Sequence, residues 1–347
     1  MSQVQFRGYA ITDPKKWSDF SIIDIKPKTF EETDVEIAIT HCGVCGSDVH
    51  MITQGWGEAP FPLVVGHEIV GKVTRVGSQV KEFKVGDRAG VGAQVASCYE
   101  CRACKSDNEN YCPKSLSTYA DKYPDGVVTQ GGYSTAIRAH EQFVFPIPEA
   151  LESRYAASML CAGLTVFSPL KRNGAGPGKK VGIVGIGGLG HYAIMFAKAM
   201  GAEVYAFTHD KSKVEDIKKM GADHKGDFAK ELAHSLDLIV STRDVAEGMP
   251  LQQYLSMLWV HGRFVTVGLP DKPLPQLTAF DLNPNGCFLG SSHIGSKKEA
   301  IEMLQLAADK DIKPWYAELP MKDVQQAVER LKRNDVRYRF ILTQDIA

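Results

Sequence analysis

Two periods of hydrophobicity divide the chain. Up to about residue 150, apolar and polar positions tend to alternate. Residues 35–40 (Val-Glu-Ile-Ala-Ile-Thr) and 69–77 (Ile-Val-Gly-Lys-Val-Thr-Arg-Val-Gly) predict half-buried strands. Residues 85–92 are rich in glycine and suit the tight bends of a small barrel. From about residue 160, short apolar runs alternate with helical periods. Residues 180–185 predict a buried strand, 191–200 a helix stopped by Gly201, and 203–208 a second strand. A helix over 211–220 is stopped by Gly221, and 236–241 and 263–268 predict further strands. Repeated strand–helix units predict an α/β fold with a parallel, doubly wound sheet. Ser296 with Glu299 forms a capping box that opens a helix through residue 308. A helix over 321–333 and a strand over 338–342 close the chain.

Composition narrows the class. At 347 residues, 44% hydrophobic and 23% charged, the chain is long enough for two domains with a large buried core. A net charge of −1 provides no global field for nucleic acid or an acidic membrane surface, so neither is expected as a partner. No apolar stretch is long enough to span a bilayer. The first residues lack a basic region followed by an apolar run, and the last carry no retention or prenylation signal. Of eight cysteines, Cys98, Cys101, Cys104 and Cys112 crowd into one polar stretch. Metal binding in a reducing compartment fits this better than disulfides, and a cytoplasmic location is expected.

That cluster has the pattern C-x2-C-x2-C-x7-C. Four nearby thiolates close a tetrahedral zinc shell and leave no position for substrate. On a loop with little apolar surface, such an ion replaces a missing core. Glu100, Asp107 and Glu109 are interleaved with the basic residues, which argues against a nucleic-acid zinc ribbon. Further on, Gly185-Ile-Gly187-Gly188-Leu189-Gly190 follows a predicted strand and opens a predicted helix. That is the context a dinucleotide fingerprint requires: glycine admits the pyrophosphate and the helix N-terminus offers N–H donors.

Six segments together resemble the zinc-containing medium-chain dehydrogenase/reductase superfamily. Within it they are most similar to the cinnamyl alcohol dehydrogenase-like, NADP-dependent alcohol dehydrogenases. These segments are Cys42-Gly-Val-Cys-Gly-Ser-Asp-Val-His50, Val65-Gly-His-Glu68, the four-cysteine loop, Cys161-Ala-Gly-Leu-Thr165, the glycine turn through His191, and Asp335-Val-Arg-Tyr-Arg-Phe340. The resemblance implies a GroES-like β-barrel catalytic domain over 1–160 and 296–347, interrupted by a Rossmann domain over 161–295. It implies two zinc ions per chain. One lies on the four-cysteine loop. The other is held by Cys45, His67 and Cys161, with Glu68 able to approach it during ligand exchange. Spacing alone does not select these three ligands. The family's cysteine stands two residues before a Ser or Thr, here Ser47, which selects Cys45 over Cys42. An open zinc position suits a reaction in which the ion lowers the pKa of an alcohol.

The same resemblance implies that Ser47 holds the substrate oxygen and that His50 passes its proton to solvent through the cofactor ribose. Histidine suits that task because its ordinary pKa lies near working pH. The end of the second strand of the dinucleotide fold selects the cofactor, because an acid there binds the ribose 2′-hydroxyl and repels a 2′-phosphate. Thr208 stands in that place, followed by His209, Lys211 and Lys213, which favours NADP(H). Asp210 departs from the family's pattern, and shifted by two positions it still has the chemistry to meet a ribose. Thr165, Val267, Gly268, Ser291, Ser292, Ile294 and Arg339 are further cofactor contacts implied by resemblance. The expected reaction is reversible oxidation of primary alcohols to aldehydes, aromatic ones included, in a homodimer joined through the Rossmann sheet edge. The rivals are an NAD-linked polyol dehydrogenase of the same superfamily and a non-enzymatic nucleotide-binding structural protein.

Overall fold

The computed structural model describes residues 5–208, 210–225 and 231–346. The chain divides into two compact units, residues 1–161 with 296–347, and residues 162–295.

The first unit is built on a seven-stranded sheet. Its central strand, Asp34–Val44, is paired antiparallel to Ile69–Val76 on one side. Its other side is shared between two partners: Ala136–His140 pairs with residues 34–38, and Arg339–Thr343 with residues 41–44. Ile69–Val76 continues to Arg88–Val91 and then Val144–Pro146, while Tyr316–Pro320 runs parallel to Arg339–Thr343 at the opposite edge. Val35, Ile37 and Ile39 from the central strand meet Phe340, Leu342, Val324 and Val328 in one buried core. Each such side chain contributes about 1.5–3 kcal/mol by leaving water.

The alternation read in residues 35–40 predicts one wet face; Ala38 and Thr40 on it are half-buried, but Glu36 is buried. Glu36 is buried against Arg138 at 2.7 Å, and Asp34 against Lys28 at 2.8 Å. Arg138 also lies over the rings of Phe6 and Phe30. The polar positions are inside because each carboxylate has a cation to meet it.

The second unit holds a six-stranded, all-parallel sheet. Its spatial order is His224–Lys225, Glu203–Phe207, Lys180–Val184, Leu236–Ser241, Leu258–Thr266 and Phe288–Ser291. In chain order these are the third, second, first, fourth, fifth and sixth strands, the doubly wound order of dinucleotide-binding sheets. The helix Gly190–Ala199 follows the first strand and ends before Gly201, whose φ of +94° is open to glycine. The helix expected over 211–220 begins instead as a 3₁₀ turn, Lys211–Lys213, and becomes α-helical over Val214–Lys219. Asp210 causes this, because its carboxylate caps the turn through the Ser212 N–H at 2.9 Å. The expected strand over 263–268 begins earlier, at Leu258, with a register shift near its start.

Candidate active site

Three separate pieces of backbone bring the metal-ligating types together. Cys45 directly follows the central strand and caps the start of the short helix Gly46–Ile52. His67 lies in the turn that leads into Ile69–Val76. Gly66 before it has φ +100°, and a Cβ there would lie 2.6 Å from the Tyr133 ring and 2.9 Å from Cys42 Sγ, so only glycine fits. Cys161 sits in a π-helical turn, Met159–Gly163, between the helices Ser153–Ser158 and Leu164–Arg172. Such widened turns interrupt the regular helical spacing and are frequent at functional sites. Ligand atoms of Cys45, His67, Glu68 and Cys161 all lie within 4.8 Å of one another, and all four residues are buried.

The histidine is aimed by a residue that the sequence reading quoted but gave no role. Asp48, fully buried, accepts from His67 Nδ1 at 3.0 Å and from the Gly66 N–H at 3.1 Å on one oxygen. On its other oxygen it accepts from the Cys45 N–H at 2.9 Å and the Tyr133 hydroxyl at 2.8 Å. Tyr119 Oη stands 3.1 Å from the same His67 Nδ1. With Nδ1 so occupied, Nε2 turns to the thiols and lies 3.1 Å from Cys161 Sγ. This carboxylate–histidine arrangement is the usual outer support of a metal ligand. Its one sequence signal was an acid three residues after Cys45, in a helix-capping position.

Charge in the cluster is strongly skewed. A hydrogen bond from the Cys161 thiol, then His67, holds Cys45 well below the ordinary thiol range despite its burial. Cys161, the donor of that pair, is pushed well up. Burial opposes protonation of His67, but Asp48 and the Cys45 sulfur raise it well above its usual value. Burial pushes the Glu68 carboxyl up to about 8, against the pull of the Arg339 guanidinium that pairs with its Oε1. Glu68 Oε2 is buried with no hydrogen-bond partner among the described residues. A Cβ on Gly43 would lie 1.9 Å from that oxygen, so glycine makes its room. Two thiols, one oriented imidazole nitrogen and an orphaned carboxylate oxygen form a donor set that fits zinc. Cys42, by contrast, points its Sγ toward the Gly43 carbonyl at 3.5 Å, and burial pushes its thiol up.

Ser47 and His50 lie on the helix beside Cys45. Ser47 Oγ is 3.6 Å from Cys45 Sγ, and the His50 ring stacks on Trp56. Arg339, expected from the resemblance at the cofactor, is buried on Glu68.

The four-cysteine loop gathers its sulfurs as the spacing predicts. Sγ–Sγ distances are 3.9 Å (98–104), 3.5 Å (101–104), 3.9 Å (101–112) and 3.5 Å (112–98). Zinc–sulfur bonds of about 2.3 Å in a tetrahedron set sulfurs about 3.8 Å apart, so these four fit the ion. The Cys98 Sγ accepts from the Cys101 N–H at 3.4 Å, and backbone donors lower its thiol to about 6.

In the second unit, the glycine turn leaves the strand Lys180–Val184 at Gly185, whose φ is +84°. A Cβ on Gly190 would lie 2.0 Å from the Gly185 carbonyl oxygen, whereas Gly187 has open space above it. Close packing at one glycine and open approach at another suit a pyrophosphate over the helix N-terminus. Gly188 and Leu189 complete the turn. Thr208 Oγ accepts from the Asp210 N–H at 3.1 Å, and Lys213 Nζ donates to the Ile186 carbonyl in the glycine turn at 2.8 Å. His209 lies outside the described residues. At the neighbouring strand ends, the N–H groups of Val267 and Gly268 meet the Ser241 carbonyl at 2.8 and 3.3 Å. The Ser291 hydroxyl and Ser292 N–H meet the Thr266 carbonyl at 3.0 and 3.2 Å. Ile294 has a left-handed φ of +50°. Thr165 is a nearly buried residue of the helix Leu164–Arg172.

Comparison with known proteins agrees with this geometry. Residues 31–149 match the alcohol dehydrogenase GroES-like domain and residues 188–309 match zinc-binding dehydrogenase. The chain is 45% identical to the NADP-dependent alcohol dehydrogenase 6 of Saccharomyces cerevisiae, over 97% of this chain and 96% of that one. Among solved structures, a cinnamyl alcohol dehydrogenase from Sorghum bicolor superposes with a TM-score of 0.92 at 36% identity, covering 98% of each chain. A CAD from Helicobacter pylori complexed with NADP(H) superposes at 0.91 and 35%, with the same coverage.

Proposed function

The chain belongs to the zinc-binding alcohol dehydrogenases, and from that membership we propose that it interconverts primary alcohols and aldehydes, aromatic ones included, with NADP(H). The observation that carries this reading is the meeting of Cys45, His67, Cys161 and Glu68 around one point, with His67 oriented by Asp48. These residues would hold the catalytic zinc, and Cys98, Cys101, Cys104 and Cys112 a structural one. When bound, the metal supplies Lewis acidity at the substrate oxygen and the nicotinamide supplies or takes the hydride.

The chain's own residues do the rest. Ser47, beside Cys45, holds the substrate oxygen and exchanges its proton. His50, half-buried on the same helix, carries that proton to and from solvent. Arg339, paired with Oε1, holds Glu68 in place. Gly185, Gly187, Gly188, Leu189 and Gly190 receive the pyrophosphate, and Thr165, Val267, Gly268, Ser291, Ser292 and Ile294 border the nicotinamide. Thr208, His209 and Lys213 select the 2′-phosphate. In support of that selection, the carboxylate of Asp210 caps its own turn through Ser212. The exposed edge strand Phe288–Ser291, beside exposed Trp259 and Val260, supports a homodimer across that edge. Metal-binding rather than disulfide cysteines support a cytoplasmic setting.

The test is Ser47→Ala. Turnover with NADPH and an aromatic aldehyde should fall about a hundredfold, with zinc per chain unchanged. Unaltered turnover removes Ser47 from the reaction. The cofactor assignment stands if kcat/KM for NADPH is well above that for NADH.

A further inference from the structure

We propose that Trp56 is the positioning residue of the proton relay, holding the His50 imidazole in place by stacking on it. The two rings lie almost parallel, 3° apart in plane, with centroids separated by 4.7 Å. The inference rests on the relay reading of Ser47 and His50 above.

The backbone explains why these rings meet. The helix Gly46–Ile52 ends in a left-handed turn at Gln54, with φ +57°. There the Gly55 N–H bonds back to the His50 carbonyl at 2.8 Å and the Gln54 N–H to the Met51 carbonyl at 3.1 Å. This pair of reversed bonds is a Schellman motif, and it ties the outgoing chain to His50 itself. The next residue is Trp56, so the motif folds the indole back along the helix onto the imidazole. Gly55 lies close to the ring as well: a Cβ there would lie 3.1 Å from His50 Nδ1. His50 is thus bounded by its own helix, by Gly55 and by the indole face.

A relay group needs this restraint. A histidine that passes protons must keep one nitrogen toward its donor while its ring stays accessible to water, and an unrestrained surface side chain samples several rotamers. Trp56 is 41% exposed, an unusual position for a tryptophan whose only task is core packing. A planar face stacked on the ring restricts χ2 without consuming either ring nitrogen.

The experiment combines a spectroscopic and a kinetic reading of the zinc-loaded full chain. In the stack, the indole ring current moves the His50 Cε1–H resonance upfield. That signal is assigned by its loss in His50→Gln, with Ser47 and the zinc ligands untouched. The expected result is an upfield signal in the native protein without cofactor. It should revert toward the free-histidine position in Trp56→Leu and be largely kept in Trp56→Phe. Turnover should follow the signal: kcat falls about tenfold in Trp56→Leu, is largely retained in Trp56→Phe, and is partly restored to the Leu variant by added imidazole. KM for the aldehyde should change less than kcat. Gly55→Ala, which crowds His50 Nδ1, should shift the same resonance and lower kcat.

A His50 signal at the free-histidine position in the native protein overturns the stack. A signal that moves in Trp56→Leu while kcat stays constant, with His50→Gln slow, overturns the positioning role and leaves the relay intact. If His50→Gln itself turns over normally, the relay reading fails and the positioning role fails with it. A rise in KM alone, without imidazole rescue, makes Trp56 a pocket wall and overturns the proposal.

Discussion

Asp48 shows how much of a metal site rests on a residue that is not a ligand. A carboxylate has about four lone-pair directions, and here all four are used: by an imidazole, two backbone N–H groups and a phenol. An amide keeps the shape but loses acceptors. Asp48→Asn should therefore lower retention of the catalytic zinc by about ten- to a hundredfold, measured by competition with a chelator, while the four-cysteine site keeps its ion. His140 carries a second residue-scale consequence. Burial pushes its pKa below the ordinary value, and its Nδ1 accepts from the Gln142 N–H at 3.1 Å, which requires that nitrogen to be bare. The unfolded chain therefore takes up a proton at higher pH than the folded one. The stabilising contribution is complete above about pH 6.5 and is lost as pH falls through the lowered native value. On going from about pH 7.5 to 5, the urea midpoint of the native protein should fall further than that of His140→Gln. An equal fall in both would show that the ring titrates alike in both states.

Elements differed in how legible they were. The helix Gly190–Ala199 and the strands on either side of it were plain in the sequence, because buried apolar runs and terminal glycines act locally. The π turn around Cys161 was not, since no local pattern marks it; Leu160 within it lies against Gly90 and Gly92, far away in sequence. The edge strand Phe288–Ser291 was also missed, because every residue in it is exposed and none alternates. Of the candidate site, Cys45, His67, Glu68 and Cys161 were singled out through motif resemblance and the fold gathers them, whereas Asp48, Tyr119 and Tyr133 enter only through tertiary folding. A comparable tertiary cap lies at the start of the helix Lys297–Asp309. Ser296 and Glu299 form the expected capping box, yet the first N–H, of Lys297, goes to the buried carboxylate of Glu109 at 2.6 Å. Glu109→Gln removes the charge facing the helix dipole and should cost about 1–2 kcal/mol, read as a fall of a few degrees in Tm.

At the scale of the whole molecule, that same contact makes the four-cysteine loop more than a local staple. Between Val95 and Thr118 the only buried apolar side chain is Cys112, so hydrophobic burial cannot hold the loop in shape. The four sulfurs would do so through the ion that they are placed to hold. The loop in turn holds the chain where it re-enters the first unit at Ser296. Glu109 takes the Lys297 N–H, and Asp107 pairs with Lys298 at 3.1 Å. Lys297 Nζ adds Glu82 at 2.8 Å and the Glu141 carbonyl at 2.8 Å. Losing the structural ion should therefore loosen two places nearly two hundred residues apart in sequence. In Cys101→Ser, zinc per chain should drop from about two to about one. Amide exchange should accelerate both across 98–112 and at the first turn of Lys297–Asp309. The strand Lys180–Val184, in the other unit, should exchange as before. Acceleration confined to 98–112 would show that the returning helix stands without the loop. Unchanged zinc and unchanged exchange would show that the four sulfurs hold no ion that the fold depends on.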